Sequence, residues 1–338
     1  MKDIPDGDAR AKFFAARPTD DCDLRVRIGT LVLQNPVMPA SGCFGPELGR
    51  LIPVAELGAT VTKTVFYDRR GGNLPHRITE VPGGMVNSVG IPSRGPDGYR
   101  SLLHTQYRDL GVPVIVSVGA HRPAEYASVI SLLSGAGEAY ELNVSCPNLD
   151  SDGIEIGADP QAISTAVLAA REVTDRPLIV KLSPMVPFIA DCADAAQSAG
   201  ADAVCVSNSV PALPVDRATR MPALGNVVGG LSGPAIKPIV LRLVWQAARA
   251  VRIPVIACGG IETAADALDY MRLGATAVQV GTASFARPFA AVEIVRGLRG
   301  HCVAAGASRL SDILAADAGP RRDQPSTGAP TVAPFPAR

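Results

Sequence analysis

The stretch Ala139-Tyr-Glu-Leu-Asn-Val-Ser-Cys-Pro-Asn148 holds the residue types best suited to chemistry in this chain. An apolar run containing an amide, Asn143, stops at a cysteine followed at once by proline, and Ser145 and Asn148 flank Cys146. Burying an amide is costly unless it is hydrogen-bonded, so Asn143 predicts a ligand or a polar network. Cys146 admits three readings: a buried structural thiol, a nucleophile, or a general acid or base whose pKa nearby lysines lower. No histidine stands at a recognisable partner position for the nucleophile. Lys63 and Lys181 lie inside apolar segments, 60–65 and 178–183. A lysine placed there must be paired or face an anion.

Other polar residues gather where apolar runs end. They are Ser41-Gly42, Thr64, Ser207-Asn208-Ser209, Gly259-Gly260 and Gly281-Thr282. Glycine pairs let backbone N–H groups come close to a phosphate, and Gly229-Gly-Leu-Ser-Gly-Pro234 could lend helix N-terminal amides to the same anion. Asn87, Asn143, Asn148 and Asn208 both donate and accept, which suits a small ring with carbonyl, amide and carboxylate edges, such as a pyrimidine.

The elements that must position these groups follow from eight apolar runs, at 35–40, 59–65, 113–118, 139–145, 177–183, 201–207, 254–259 and 277–281. Continuous rather than alternating hydrophobicity marks strands buried on both faces of a parallel sheet. Candidate helices fall between them at 47–57, 123–133, 160–173, 189–199, 234–250 and 263–273. The pairs Gly58-Ala59, Gly200-Ala201 and Gly274-Ala275 predict glycine caps at helix ends. This count predicts an α/β fold, the (β/α)8 TIM barrel, with a doubly wound sheet as competitor. Long insertions at 66–99 and 208–231 follow strand C-termini and are candidate substrate-covering segments. The expected organisation is an N-terminal extension over 1–23, the barrel over 24–315 and a Pro-rich disordered tail over 316–338.

Composition narrows the function classes. The 32 basic and 32 acidic residues cancel, and aromatics are only 4%, which argues against nucleic acid or an anionic membrane as partner. Seven scattered cysteines never form Cys-x-x-Cys, and the four histidines lack ligand spacing, so neither a disulfide framework nor a metal or iron–sulfur site is expected. The charged N-terminal segment lacks a long apolar stretch. The expectation is a soluble cytoplasmic protein.

These motifs together resemble dihydroorotate dehydrogenase from about residue 24 to 300. The resemblance rests on Asn35-Pro-Val-Met-Pro-Ala-Ser-Gly-Cys-Phe-Gly45, Gly84-Met-Val-Asn-Ser-Val-Gly90, Glu141-Leu-Asn-Val-Ser-Cys-Pro-Asn148 and Val180-Lys-Leu-Ser-Pro184, with Gly229-Gly-Leu-Ser-Gly-Pro-Ala-Ile-Lys-Pro238 and Val280-Gly-Thr282. The cysteine of Ser-Cys-Pro-Asn is similar to class 1 enzymes, and Leu231-Ser-Gly-Pro-Ala-Ile-Lys-Pro238 is most similar to the subclass 1B catalytic subunit.

The resemblance implies an FMN enzyme of de novo pyrimidine (UMP) biosynthesis that oxidises dihydroorotate to orotate. Cys146 would take the C5 proton as hydride passes from C6 to the flavin. Substrate would be held by Lys63, Asn87, Ser88, Val89, Gly90, Ile91, Asn143, Asn148, Asn208 and Ser209. FMN would be held by Ser41, Lys63, Thr64, Ser117, Asn143, Lys181, Ser207, Gly233, Gly259, Gly260, Gly281 and Thr282. Three departures stand out: Ser117 replaces a usual asparagine, Ser207 replaces an apolar residue, and the loop after Asn148 is more acidic. The resemblance also implies a homodimer and a partner subunit carrying FAD and an iron–sulfur cluster, with fumarate or another soluble acceptor as the other route for electrons. The rival readings are an FMN barrel acting on another dihydropyrimidine and a catalytically inactive barrel subunit.

Overall fold

The computed structural model describes residues 22–145 and 156–317. Each of the eight apolar runs contains a strand of one parallel sheet: β3 (Val37–Pro39), β4 (Thr60–Val61), β7 (Val114–Val118), β8 (Ala139–Asn143), β9 (Leu178–Leu182), β10 (Ala203–Val206), β13 (Val255–Cys258) and β14 (Ala277–Val280). Their spatial order is β3-β14-β13-β10-β9-β8-β7-β4. The two ends of that order, β3 and β4, meet where the Gly58 N–H donates to the Val37 carbonyl at 2.9 Å. The sheet therefore curls into a (β/α)8 barrel, and the doubly wound alternative is excluded. A hairpin, β1 (Val26–Ile28) and β2 (Leu31–Leu33), inserts fully buried Ile28 and Leu33 into the apolar cluster inside the barrel.

Five of the six helices expected between strands are present in part or whole. They are α3 (Glu125–Leu132), α4 (Pro160–Arg171), α5 (Ile189–Ser198), α6 (Lys237–Ala250) and α7 (Ala264–Arg272). Sequence chemistry explains their starts. Asp159 caps α4 by accepting from Gln161 N at 2.9 Å with proline at the first helical position. Thr263 and Asp266 form a reciprocal capping box on α7. The sixth, expected over 47–57, is instead two short 3-10 turns, Pro46–Arg50 and Val54–Glu56, with Pro53 standing between them. Gly200 and Gly274 end their helices at positive φ, as a cap requires. Gly58 serves a different need, because a Cβ there would lie 2.1 Å from the Asn35 carbonyl oxygen. Two helices, α1 (Gly95–Leu102) and α2 (His104–Arg108), were not read from the sequence, and α8 (Ala283–Ala286), α9 (Ala290–Ala304) and α10 (Leu310–Asp317) complete the set.

The two long insertions meet. Strands β5 (Ile78–Val81) and β6 (Gly84–Asn87) come from the first, and β11 (Val210–Ala212) pairs with β12 (Gly229–Ser232) at the end of the second. Together they form one antiparallel sheet in the order β11-β12-β6-β5, with Val86 opposite Leu231. One expectation about cysteine is corrected: Cys22 and Cys302, 280 residues apart, form a disulfide, and no local spacing could reveal that pairing. The extension and tail expected over 1–23 and 316–338 fall largely outside the described residues. Among the described residues, no helix is long and apolar enough to cross a membrane.

Candidate active site

Strand side chains alternate between faces, so the residues of each barrel strand that point inward recur every second position. Ala139, Ile179, Ala203, Ile256 and Ala277 fill one interior layer with apolar side chains. Two residues further along the same strands stand Glu141, Lys181, Cys205, Cys258 and Gln279. Two further again are Asn143, Ser207 and Gly281, where a cavity opens at the strand C-termini. The antiparallel sheet of the insertions supplies the facing wall, through Met85, Asn87 and Ser232.

Most residues proposed from the sequence come together around this cavity. The ends of β3 and β4 contribute Ser41, Lys63 and Thr64, and β8, β9 and the end of β10 contribute Asn143, Lys181, Ser207, Asn208 and Ser209. Asn87, Val89, Gly90 and Ile91 come from the first insertion, and Gly233, Gly259-Gly260 and Gly281-Thr282 from the far side. Two do not line it. Ser88 is turned away to accept from Asn73 Nδ2 at 2.7 Å. Ser117 is fully buried one row behind, 2.9 Å from Thr64 Oγ1 and 3.3 Å from Ser41 Oγ. Cys146 and Asn148 lie outside the described residues.

The polar residues form a continuous hydrogen-bonded chain. Asn143 Nδ2 donates to Thr64 Oγ1 at 3.3 Å, and Asn143 Oδ1 accepts from Ser145 Oγ at 2.9 Å. Asn208 Nδ2 donates to Ser145 Oγ at 2.7 Å, while its own Oδ1 accepts from the Ser209 N–H at 2.8 Å. The buried amide that the sequence singled out is thus satisfied on both sides, and its orientation is set by its neighbours.

The charged layer beneath was only half anticipated. Lys181 Nζ donates to Gln279 Oε1 at 2.9 Å and to Cys258 Sγ at 3.6 Å, and lies 3.9 Å from Glu141 Oε1. Gln279 Nε2 donates in turn to Glu141 Oε2. Burial opposes the charge on Lys181, but the Cys258 sulfur and the Glu141 carboxylate outweigh it and hold the ammonium protonated. The Cys205 thiol and the Lys181 ammonium bring the Cys258 thiol down to about 7, whereas burial pushes Cys205 up and Cys43 up to about 11. Burial, with help from Arg77, lowers the pKa of Lys63. Glu141, Gln279, Cys43 and Cys258 were not singled out from the sequence. Glu141 and Gln279 had a readable signal, since each sits two residues before a proposed site residue on the same strand face. Among the described residues, no group of three His, Cys, Asp or Glu side chains could hold a metal ion.

What the arrangement can do follows from its parts. Two lysines and a set of amides and hydroxyls can bind a small planar anion, and a buried ammonium can stabilise negative charge that develops beside it. Comparison with known proteins agrees in length and identity. Residues 23–301 match the family model described as dihydroorotate dehydrogenase. The chain is 45% identical over 297 residues to a protein of Trichlorobacter lovleyi named dihydroorotate dehydrogenase B (NAD(+)), catalytic subunit, covering 87% of this chain and 98% of that one. Proteins of the same name from Geobacter sulfurreducens and a Thermoanaerobacter species are 43% and 41% identical over 298 and 295 residues, covering 87% and 86% of this chain and 98% of each relative.

Proposed function

This chain belongs to the dihydroorotate dehydrogenase family, and we propose that it oxidises dihydroorotate to orotate with FMN as resident cofactor and Cys146 as the base. The observation that carries this reading is the meeting, in one cavity, of a buried ammonium (Lys181), Gly259-Gly260 after β13, Gly281-Thr282 after β14, and amides from both the barrel and the insertions.

The donor set fits FMN. Gly233, Gly259 and Gly260 hold backbone conformations at φ of +102°, +146° and +66°, which suit close approach of main-chain amides to a phosphate. Ser41, Thr64 and Asn143 offer hydroxyl and amide groups to a heteroaromatic ring, and Lys181 offers a positive charge. Bound FMN supplies a two-electron acceptor for the hydride leaving substrate C6.

Within that reading, Lys63, Asn87 and Asn208 bind the carboxylate and ring edges of dihydroorotate. The hydrogen bonds that fix Asn143 and Asn208 orient their amides before substrate arrives, so little ordering is needed on binding. Cys146 then takes the C5 proton as the general base. Orotate formation is a step of pyrimidine biosynthesis. The name shared by the relatives supports a further proposal, that this chain works as the catalytic subunit beside a partner that passes electrons to NAD+.

The test is anaerobic. The purified protein is expected to be yellow, and dihydroorotate, but not dihydrouracil, is expected to bleach it. Cys146→Ser is expected to keep the flavin while slowing bleaching by orders of magnitude at neutral pH. An unchanged bleaching rate removes Cys146 from the reaction, and a colourless protein that takes up no FMN refutes the assignment of cofactor.

A further inference from the structure

The interior layer that faces the cavity breaks the rule followed by the layer beneath it. Barrel interiors are normally packed with apolar side chains, and the lower layer here complies. The upper layer instead holds a full carboxylate and a full ammonium. Glu141 and Gln279 are 0% exposed and Lys181 is 4% exposed. Barrel geometry does not require charge at this level, because Cys205 and Cys258, on strands of the same layer, are small and neutral-capable. A buried ion pair is also a poor way to gain stability, since similar-sized apolar groups usually do as well or better.

The wiring is directional. The Gln279 amide has its oxygen toward the Lys181 ammonium and its nitrogen toward Glu141, so its orientation is dictated at both ends. Glu141 Oε1 accepts no hydrogen bond from any described group and faces Lys181 across 3.9 Å. Strand register reinforces this. Cys205 lies opposite Lys181 on β10, and Cys258 lies opposite Gln279 across β13 and β14. The groups facing the ammonium are therefore Glu141 on β8, Cys205 on β10, Cys258 on β13, Gln279 on β14, and Cys43 just beyond β3. Lys181 itself lines the cavity, whereas Glu141 and Gln279 do not.

We propose that Glu141 and Gln279 are positioning residues that hold the Lys181 ammonium in place and balance it with one negative charge, and so set how readily the bound flavin accepts electrons. The inference rests on the FMN reading above. Neutralising Glu141 would leave an uncompensated positive charge beside the cofactor and favour its reduced form. It would also strip the ammonium of its main carboxylate counter-charge, so that burial could drive its proton off at lower pH.

The experiment is a spectroelectrochemical titration of the flavin-loaded protein from pH 6 to 9, with chemical reductant and mediators rather than dihydroorotate. In every sample Cys258 is replaced by Ser, which removes the thiol that titrates near 7, and the protein otherwise wild type is expected to give a single slope of midpoint potential against pH. Glu141→Gln is expected to lie above it at pH 6, by the equivalent of about tenfold in the equilibrium or about 30 mV for a two-electron couple. It is also expected to show a break where Lys181 loses its proton. Glu141→Asp is expected to restore the single slope, and the break is expected to vanish in Glu141→Gln combined with Lys181→Met.

A Glu141→Gln line that coincides with that of the otherwise wild-type protein overturns the proposal. If Glu141→Gln does not fold, Gln279→Met decides the matter. With the bridging amide gone, the two charges close on each other and the midpoint is expected to fall, and an unchanged midpoint overturns the proposal. Uptake of no flavin by wild type refutes the cofactor reading, and this inference with it. Bound flavin with unchanged midpoints refutes this inference alone.

Discussion

Replacing Gly260 with alanine tests whether the turn after β13 is a shaped cradle or an ordinary turn. Gly260 sits at φ +66°, and an added Cβ would lie 2.6 Å from Lys237 Cβ and 2.9 Å from the Lys237 Cα and backbone nitrogen. Lys237 cannot easily retreat. It opens α6, which buries Val240, Leu243, Val244 and Ala247, and its ammonium is held by Asp266 and by Asp269 at 2.8 Å. Restoring ordinary carbon–carbon contact requires the turn to move by about 1 Å. The left-handed conformation costs an alanine about 1–2 kcal/mol, and forced repacking adds about 1–3 kcal/mol. Hydrogen bonds to a phosphate contribute about 1.5–3 kcal/mol each, so losing one weakens FMN binding about 10- to 100-fold.

Gly135→Ala is the matched control. Gly135 sits at φ +74° with nothing within 4 Å of its would-be Cβ, and it follows α3 away from the cavity. It should carry the backbone cost of about 1–2 kcal/mol and leave the flavin untouched. The assay is fluorescence titration of FMN into flavin-free protein, paired with urea unfolding of the same samples. The expected outcome is that Gly260→Ala loses more stability than Gly135→Ala and alone loses FMN affinity. If Gly260→Ala binds FMN like wild type and falls no further in stability than the control, the cradle reasoning is wrong.

Asn143→Ala removes the donor to Thr64 and the acceptor for Ser145 together, and is expected to lower kcat/KM for dihydroorotate about 100-fold in steady-state assays. A loss below about threefold would take Asn143 out of the site. The Cys258 thiol, brought from its ordinary value of 9.0 to about 7, is deprotonated in the fold while the unfolded chain still holds the proton between those values. Its contribution is therefore full above the unfolded pKa and lost as pH falls through the folded one. Unfolding free energy of the apoprotein should rise by about 1–3 kcal/mol from pH 6.5 to 9 in wild type, and this part of the rise should disappear in Cys258→Ser. Lys181 is raised, stays protonated in both states across that window and adds no slope. Arg296→Met breaks a two-pronged bond to Glu56, at 2.9 and 2.7 Å, that ties α9 to the turn before β4. Denaturant titration should show a loss of about 1 kcal/mol with FMN affinity unchanged.

How much of this was legible in the chain depended on whether local order reported on tertiary environment. All eight barrel strands were readable because burial on both faces writes itself as an unbroken apolar run, and polar residues inside such runs had to be functional or paired. Lys63, Asn143 and Lys181 were found that way. The same rule applied one period earlier would have reached Glu141, which alternates with buried Tyr140 and Leu142 just as Asn143 does. Gln279 could likewise have been read as the partner two residues before Gly281. What local order could not carry was pairing at a distance. The insertion strands run only three or four residues, one of them Gly229-Gly-Leu-Ser232, and are defined by partners on the other insertion, such as Leu231 opposite Val86. Residues 47–57 show the opposite failure, since an apolar pattern suggested one helix where Pro53 and the tight approach of Gly58 to β3 allow only two short turns. Cys22 and Cys302 meet because the end of α9 is brought back beside the first described residues, where the backbones of Asp23 and Arg309 form a β-bridge. The charged layer joins both lessons. Each of its members is marked in its own strand as a polar residue at an inward position, but that Lys181 is answered by Glu141 through Gln279 depends on barrel closure, which brings β8, β9 and β14 around one axis.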